Sequence, residues 1–133
     1  MTRIYLVRHA EAMGNVQEFF QGRTDCEVSE KGKKQLELLA ERFKDIPIEA
    51  IYSSPLKRTI DTAEAVNKYH GLPIIRDEGL IEVDGGVWEG KPWADLPKLY
   101  PVEYDLPSFS AAILLTVVFI RSKTSVIFSP SAM

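Results

Sequence analysis

One cysteine, two histidines and no acidic side chain after Asp105 are the scarcities that say most about this 133-residue chain. Cys26 alone excludes an internal disulfide and a Cys-rich metal centre, and it suits a reducing compartment. His9 and His70 stand sixty-one residues apart, so no local metal-ligand pair is suggested. The longest apolar run, Ala111 to Ile120, has ten residues with Thr116 inside it and is too short to span a bilayer. No long apolar stretch follows Met1-Thr2-Arg3-Ile4, so no signal peptide is expected. Sixteen bases against nineteen acids leave a net charge of -3, which argues against a surface bound throughout to nucleic acid. A local basic pocket remains compatible with that balance. The 45% hydrophobic and 26% charged residues point to one soluble, cytoplasmic domain with a real core.

Composition changes along the chain. All eight glycines lie at or before Gly90, and residues 107–133 hold six serines, two bases and no acid. Two readings fit this break. Residues 107–133 form an apolar terminal strand with a Ser-rich tail, or the chain leaves its ancestral sequence near Asp105 to Pro107 through a frameshift, altered splicing or truncation. Either way the expected organisation is a domain over 1–106 followed by a divergent segment over 107–133.

Within the first part, strands alternate with helices. Ile4-Tyr5-Leu6-Val7 has the pattern of a buried strand. Ser29 is placed to cap a helix whose Leu36, Leu39, Ala40 and Phe43 share one face. Ile48 to Tyr52 reads as a second strand, and Ser54-Pro55 as the start of a second long helix. Leu56, Ile60, Ala63 and Val66 give that helix its apolar stripe, and Gly71 with Pro73 ends it. Pro73 to Ile75 is a third strand, Gly79 to Gly90 is loop, and Ile113 to Ile120 would be a fourth strand. The expectation is a three-layer α/β/α fold with a mostly parallel central sheet, incomplete at the C-terminus. Its site should lie at the carboxyl ends of the strands.

Arg8 and His9 directly follow the first strand. Arg58 lies in the first turn of the helix after the second, where a side chain leans back toward the same edge. Two guanidiniums, a histidine and a helix N-terminus at one edge make a pocket suited to phosphate. By contrast, Trp88 and Trp93 read as packing, Lys31, Lys33 and Lys34 as a solvated helix face, and Cys26 as a loop thiol without a paired base. Leu96 to Leu106 reads as a lid.

The words around these residues resemble a family. Leu6-Val7-Arg8-His9-Ala10-Glu11 with Asn15 is similar to the Arg-His signature of the histidine phosphatase superfamily, which includes the cofactor-dependent phosphoglycerate mutases. Gln21-Gly22-Arg23-Thr24-Asp25 and Val28-Ser29-Glu30-Lys31-Gly32 resemble its next block, with Glu27 where proline is usual. Tyr52 to Ala63 is close to a full match to its second arginine motif. Leu80-Ile81-Glu82 with Gly86-Val87-Trp88-Glu89-Gly90 resembles the segment bearing the general acid, in the form of the phosphatase rather than the mutase branch.

The resemblance implies roles. His9 would be the nucleophile that forms a phosphohistidine. Arg8 and Arg58 would hold the phosphoryl oxygens, Asn15 would add a hydrogen bond, and the backbone from Gln21 through Gly22 to Thr24 would line the mouth. Glu82 would protonate the leaving oxygen, a role suited to a carboxyl titrating nearer neutrality. The implied partner is a small phosphorylated metabolite, with no metal, cofactor, nucleic acid or membrane. The family's second histidine, expected after a run such as Ile113 to Ile120, has no counterpart: Arg121-Ser122-Lys123 follows instead. Arg121 or Lys123 could supply charge there, whereas His70, twelve residues beyond Arg58, should lie toward the opposite edge. The expected function is hydrolysis of small phosphomonoesters, weakened by that loss. The alternative is a catalytically inactive phosphate-binding remnant or a truncated gene product.

Overall fold

The structure, a computed structural model, describes residues 2–104 and 117–122. Its elements in chain order are β1 (Arg3–Arg8), α1 (Met13–Val16), α2 (Glu30–Phe43), β2 (Ala50–Ser53), α3 (Lys57–Asn67), β3 (Ile74–Arg76), α4 (Leu96–Leu99), α5 (Pro101–Tyr104) and β4 (Val117–Ser122).

The period-2 alternation of β1 decides which residues reach the core. Tyr5 and Val7 pack against a buried cluster of Phe43, Ile51, Ala63, Val66 and Ile120. Their neighbours Ile4 and Leu6 point the other way and remain 59% and 51% exposed. Both long helices therefore serve one face of the sheet, and the other face keeps apolar surface in contact with solvent. The incomplete α/β/α layering anticipated above is observed in this form among the described residues.

α2 begins as its sequence predicts. Ser29 Oγ accepts from the Gly32 amide at 3.0 Å, closing the first turn. Gly32 is needed there because a Cβ would run into the Glu11 carbonyl oxygen. α3 begins later than expected. Ser54 Oγ accepts from the Leu56 amide at 3.2 Å, forming a local turn rather than a cap, and Leu56 takes the cap position with no side-chain bond. The first helical amide, Lys57 N, donates instead to the Asp25 carboxylate at 2.9 and 3.1 Å. A distant loop thus caps α3 and fixes that loop beside Arg58. The predicted stripe of Leu56, Ile60, Ala63 and Val66 is buried, and Gly71 turns the chain at φ +66°.

The sheet order is β1-β4-β2-β3. β2 and β3 are parallel, and β4 runs antiparallel to both β1 and β2, so β1, β2 and β3 share one direction. Of the run expected to form the fourth strand, residues 113–116 lie outside the described residues, and the strand itself is Val117–Ser122.

Its direction corrects one expectation. Val117 pairs with Arg8, whereas Arg121 pairs with Ile4 and Ala50. Arg121 is therefore four residues along the strand from the Arg8 pair, about 13 Å at about 3.3 Å per residue. It lies toward the far edge, away from the strand end that carries His9. Lys123 lies outside the described residues. His70 is also at the far edge, as expected, with Nε2 donating to the Phe43 carbonyl at 2.9 Å where α2 ends.

A second cluster of Phe20, Trp88 and Leu96 packs with Trp93, Tyr100 and Tyr104. Trp88 stacks on Tyr104 at 6.1 Å between centroids and meets Phe20 edge-on at 6.0 Å. Both tryptophans act as packing. α4 and α5 close over this cluster, and residues 105–106 of the expected lid lie outside the described residues. No helix among the described residues is long and apolar enough to cross a membrane.

The two faces of the sheet differ in a measurable way. In denaturant unfolding, Ile51→Ala should cost about 2–5 kcal/mol, as for a buried aliphatic cut to methyl. Leu6→Ser should change stability by less than about 0.5 kcal/mol.

Candidate active site

β1 delivers His9 to the carboxyl edge of the sheet, and the next peptide group holds it there. The His9 Nδ1 atom lies 2.7 Å from the Ala10 carbonyl oxygen. A carbonyl can only accept, so Nδ1 carries the proton and Nε2 keeps the lone pair. The Ala10 amide donates to Thr62 Oγ1 at 3.0 Å, and that hydroxyl donates to the Arg58 carbonyl at 2.7 Å. One residue, Ala10, thus orients the imidazole through its carbonyl and fastens the end of β1 to the first turns of α3 through its amide.

Burial lowers the His9 pKa below the ordinary imidazole value. The Ala10 hydrogen bond opposes this, the charges of Arg58 and Arg8 add to it, and Glu82 works against them. The result favours a neutral ring at neutral pH.

Arg58 is 0% exposed. Its Nη1 donates to the Thr24 carbonyl at 2.9 Å, and its Nη2 to the Gly22 carbonyl at 2.8 Å and the Gln21 carbonyl at 3.4 Å. Arg58 Nε and Gln21 Oε1 are buried and have no hydrogen-bond partner among the described residues. Burial also lowers the Arg58 pKa, against the charges of Asp25, Glu82, Cys26 and Glu89.

The predicted site residues come together unevenly. Glu82 is half-buried, accepts from the Val83 amide at 3.0 Å, and acts by its charge on both His9 and Arg58. Arg8 is exposed at the strand end. Asn15, in α1, is exposed, and its Oδ1 accepts from the Ala12 amide at 2.9 Å. The loop of Gln21, Gly22 and Thr24 reaches the site, but its carbonyls grip Arg58 while its amides turn to Glu89.

That carboxylate accepts from the amides of Gly22 at 3.2 Å, Arg23 at 2.9 Å, Thr24 at 3.0 Å and Gly85 at 3.0 Å, and also from the Thr24 hydroxyl. Burial pushes the Glu89 pKa up, yet the hydrogen bonds from Thr24, Arg23 and Gly85 bring it below the usual carboxylate value. Thr62, Asp25 and Glu89 have structural roles here that residue type did not disclose. Their one signal was position, since each stands inside a motif already noted for its neighbours.

The electrostatics around His9 predict its titration. Its ring-proton NMR shift should titrate with a midpoint below about 6.5, the value of a free imidazole. Glu82→Gln should lower that midpoint further, because the carboxylate favours the imidazolium. A folded-state pKa held low also means that stability falls as pH drops below about 6.5, where only the unfolded chain gains the proton.

Comparison with known proteins agrees with this geometry. A family model described as "Histidine phosphatase superfamily (branch 1)" matches residues 4–112. Phosphoserine phosphatase 1 of Hydrogenobacter thermophilus is 39% identical over 104 residues, which cover 78% of this chain and 49% of that protein. The uncharacterized phosphatase PhoE of Bacillus subtilis is 41% identical over 101 residues, covering 76% and 52%. Among solved structures, Bacillus stearothermophilus YhfR superposes with a TM-score of 0.72 at 35% identity, covering 78% of this chain and 51% of that one. The chain therefore spans about half the length of the curated relatives it matches. On the family match and these identities, the chain belongs to branch 1 of the histidine phosphatase superfamily.

Proposed function

We propose that the chain binds a small phosphomonoester at the carboxyl edge of β1 and α3 and hydrolyses it through a phosphohistidine on His9. The observation that carries this reading is the pinned imidazole: Nδ1 is committed to the Ala10 carbonyl at 2.7 Å, which leaves Nε2 as a neutral nucleophile beside two guanidiniums. Nε2 attacks phosphorus as the ester P–O bond breaks, and Glu82 gives its proton to the departing oxygen. Water then attacks the phosphohistidine, Glu82 takes the water proton, and the P–N bond breaks to release inorganic phosphate and restore His9. Arg8 and Arg58 offset charge on the equatorial oxygens. The unpartnered Arg58 Nε supports this assignment, because a buried donor without an acceptor costs about 1–3 kcal/mol that a bound anion would recover.

The substrate class is a small phosphorylated metabolite handled without metal or cofactor in the cytoplasm. The names of the matched proteins, phosphoserine phosphatases among them, support that class. Hydrolysis should be slow. No histidine follows His70 in this sequence, and loss of one donor to a transferring group costs about 2.7–4 kcal/mol, or about 10²–10³ in rate. The same observation favours a second reading, in which phosphate binding persists without turnover.

The two readings separate in one assay. Folded protein should release phosphate from a generic aryl phosphate, and His9→Ala should reduce release to the uncatalysed level. Equal rates for the two proteins would leave only the binding reading.

A further inference from the structure

Glu89 is a carboxylate beside the site that the proposed chemistry does not use. Its hydrogen bonds run to four backbone amides and one hydroxyl, an arrangement of the kind that usually encloses an external anion. Three of those amides belong to consecutive residues, Gly22, Arg23 and Thr24. The carbonyls of Gly22 and Thr24 are in turn two of the three acceptors for Arg58. The Gln21–Gly22 and Gly22–Arg23 peptides are thus gripped from both sides, by a carboxylate on the N–H groups of Gly22 and Arg23 and by a guanidinium on the C=O groups of Gln21 and Gly22. Rotation of either peptide would break bonds to both charges. Gly22 admits no alternative packing, since a Cβ there would run into the Val83 carbonyl oxygen and Glu89 Oε1.

We infer that Glu89 is a positioning residue for the phosphate site: by holding the amides of residues 22–24, it turns the carbonyls of Gln21 and Gly22 onto Arg58 and fixes the guanidinium beside His9. Arg58 is buried, so its nitrogens must keep protein acceptors. If the amides were released, the carbonyls could turn away and the guanidinium would follow them or reorient. The functional consequence rests on the phosphomonoester reading, while the geometry does not.

The test separates the two. In wild type the Arg58 Nη protons should exchange slowly with solvent by NMR, because they are hydrogen-bonded and buried. Glu89→Gln replaces one acceptor oxygen by an amide donor that faces other donors. It should bring those protons to the exchange rate of a free guanidinium. In calorimetry with inorganic phosphate, the same change should weaken binding by about tenfold, the scale on which outer partners of a ligand-holding residue act. Val66→Ala, a core change remote from the loop, should lower the melting temperature but leave both readouts as in wild type, which a merely structural role for Glu89 would not predict. Should Glu89→Gln fail to fold, Thr24→Val removes one donor to Glu89, keeps every amide and should move both readouts the same way. Slow exchange retained in the variant, or phosphate affinity unchanged, overturns the inference. A wild type that binds no phosphate overturns the proposed site instead, and the exchange rates still decide whether Glu89 holds Arg58.

Discussion

A guanidinium shut away from water must find acceptors inside the protein, and the burial of Arg58 is the constraint on which the candidate site depends. Its terminal nitrogens take the carbonyls of Gln21, Gly22 and Thr24, which sets the course of that loop. The loop's amides then face away and need an acceptor of their own, which is Glu89. The next residue along, Asp25, caps the helix that carries Arg58. Thr62, one turn further on, ties that helix to Ala10, the residue whose carbonyl orients His9. His9, Arg58 and the loop are therefore one hydrogen-bonded unit.

Much of this was readable in the amino-acid order. Ser29 and the spacing of Leu39, Ala40 and Phe43 announced α2, and Leu56, Ile60, Ala63 and Val66 announced the buried face of α3. Those features are periodic, and periodicity is what a linear sequence displays. The placement of His9 and Arg58 at one edge followed from strand-then-helix order alone. The start of α3 was misplaced because Ser54 and Pro55 fit a cap and first turn equally well in isolation. The choice was made by Asp25, which is remote in sequence. The direction of β4 was hidden for another reason: an apolar run reads the same forwards and backwards, so nothing in it showed that Arg121 would face Ile4 rather than the site. Glu89 escaped notice because a carboxylate bound to amides has no partner residue type to reveal it.

The chain's composition and its fold meet at the open face of the sheet. α2 and α3 cover one side, and the other leaves Ile4 and Leu6 in solvent. The matched relatives are about twice as long as the matched stretch, so about half of their architecture has no aligned counterpart in this chain. The stretch that the family model matches contains the pinned histidine and the buried arginine.

Transfer of phosphorus to His9 is the central claim, and it can be seen directly. The protein is mixed with an aryl phosphate, quenched under alkaline denaturing conditions that preserve phosphohistidine, and mapped by peptide mass. The account predicts one phosphoryl group on the peptide that contains His9 and none in His9→Ala. No adduct at any time after mixing, or a phosphoryl group on another residue, would contradict it.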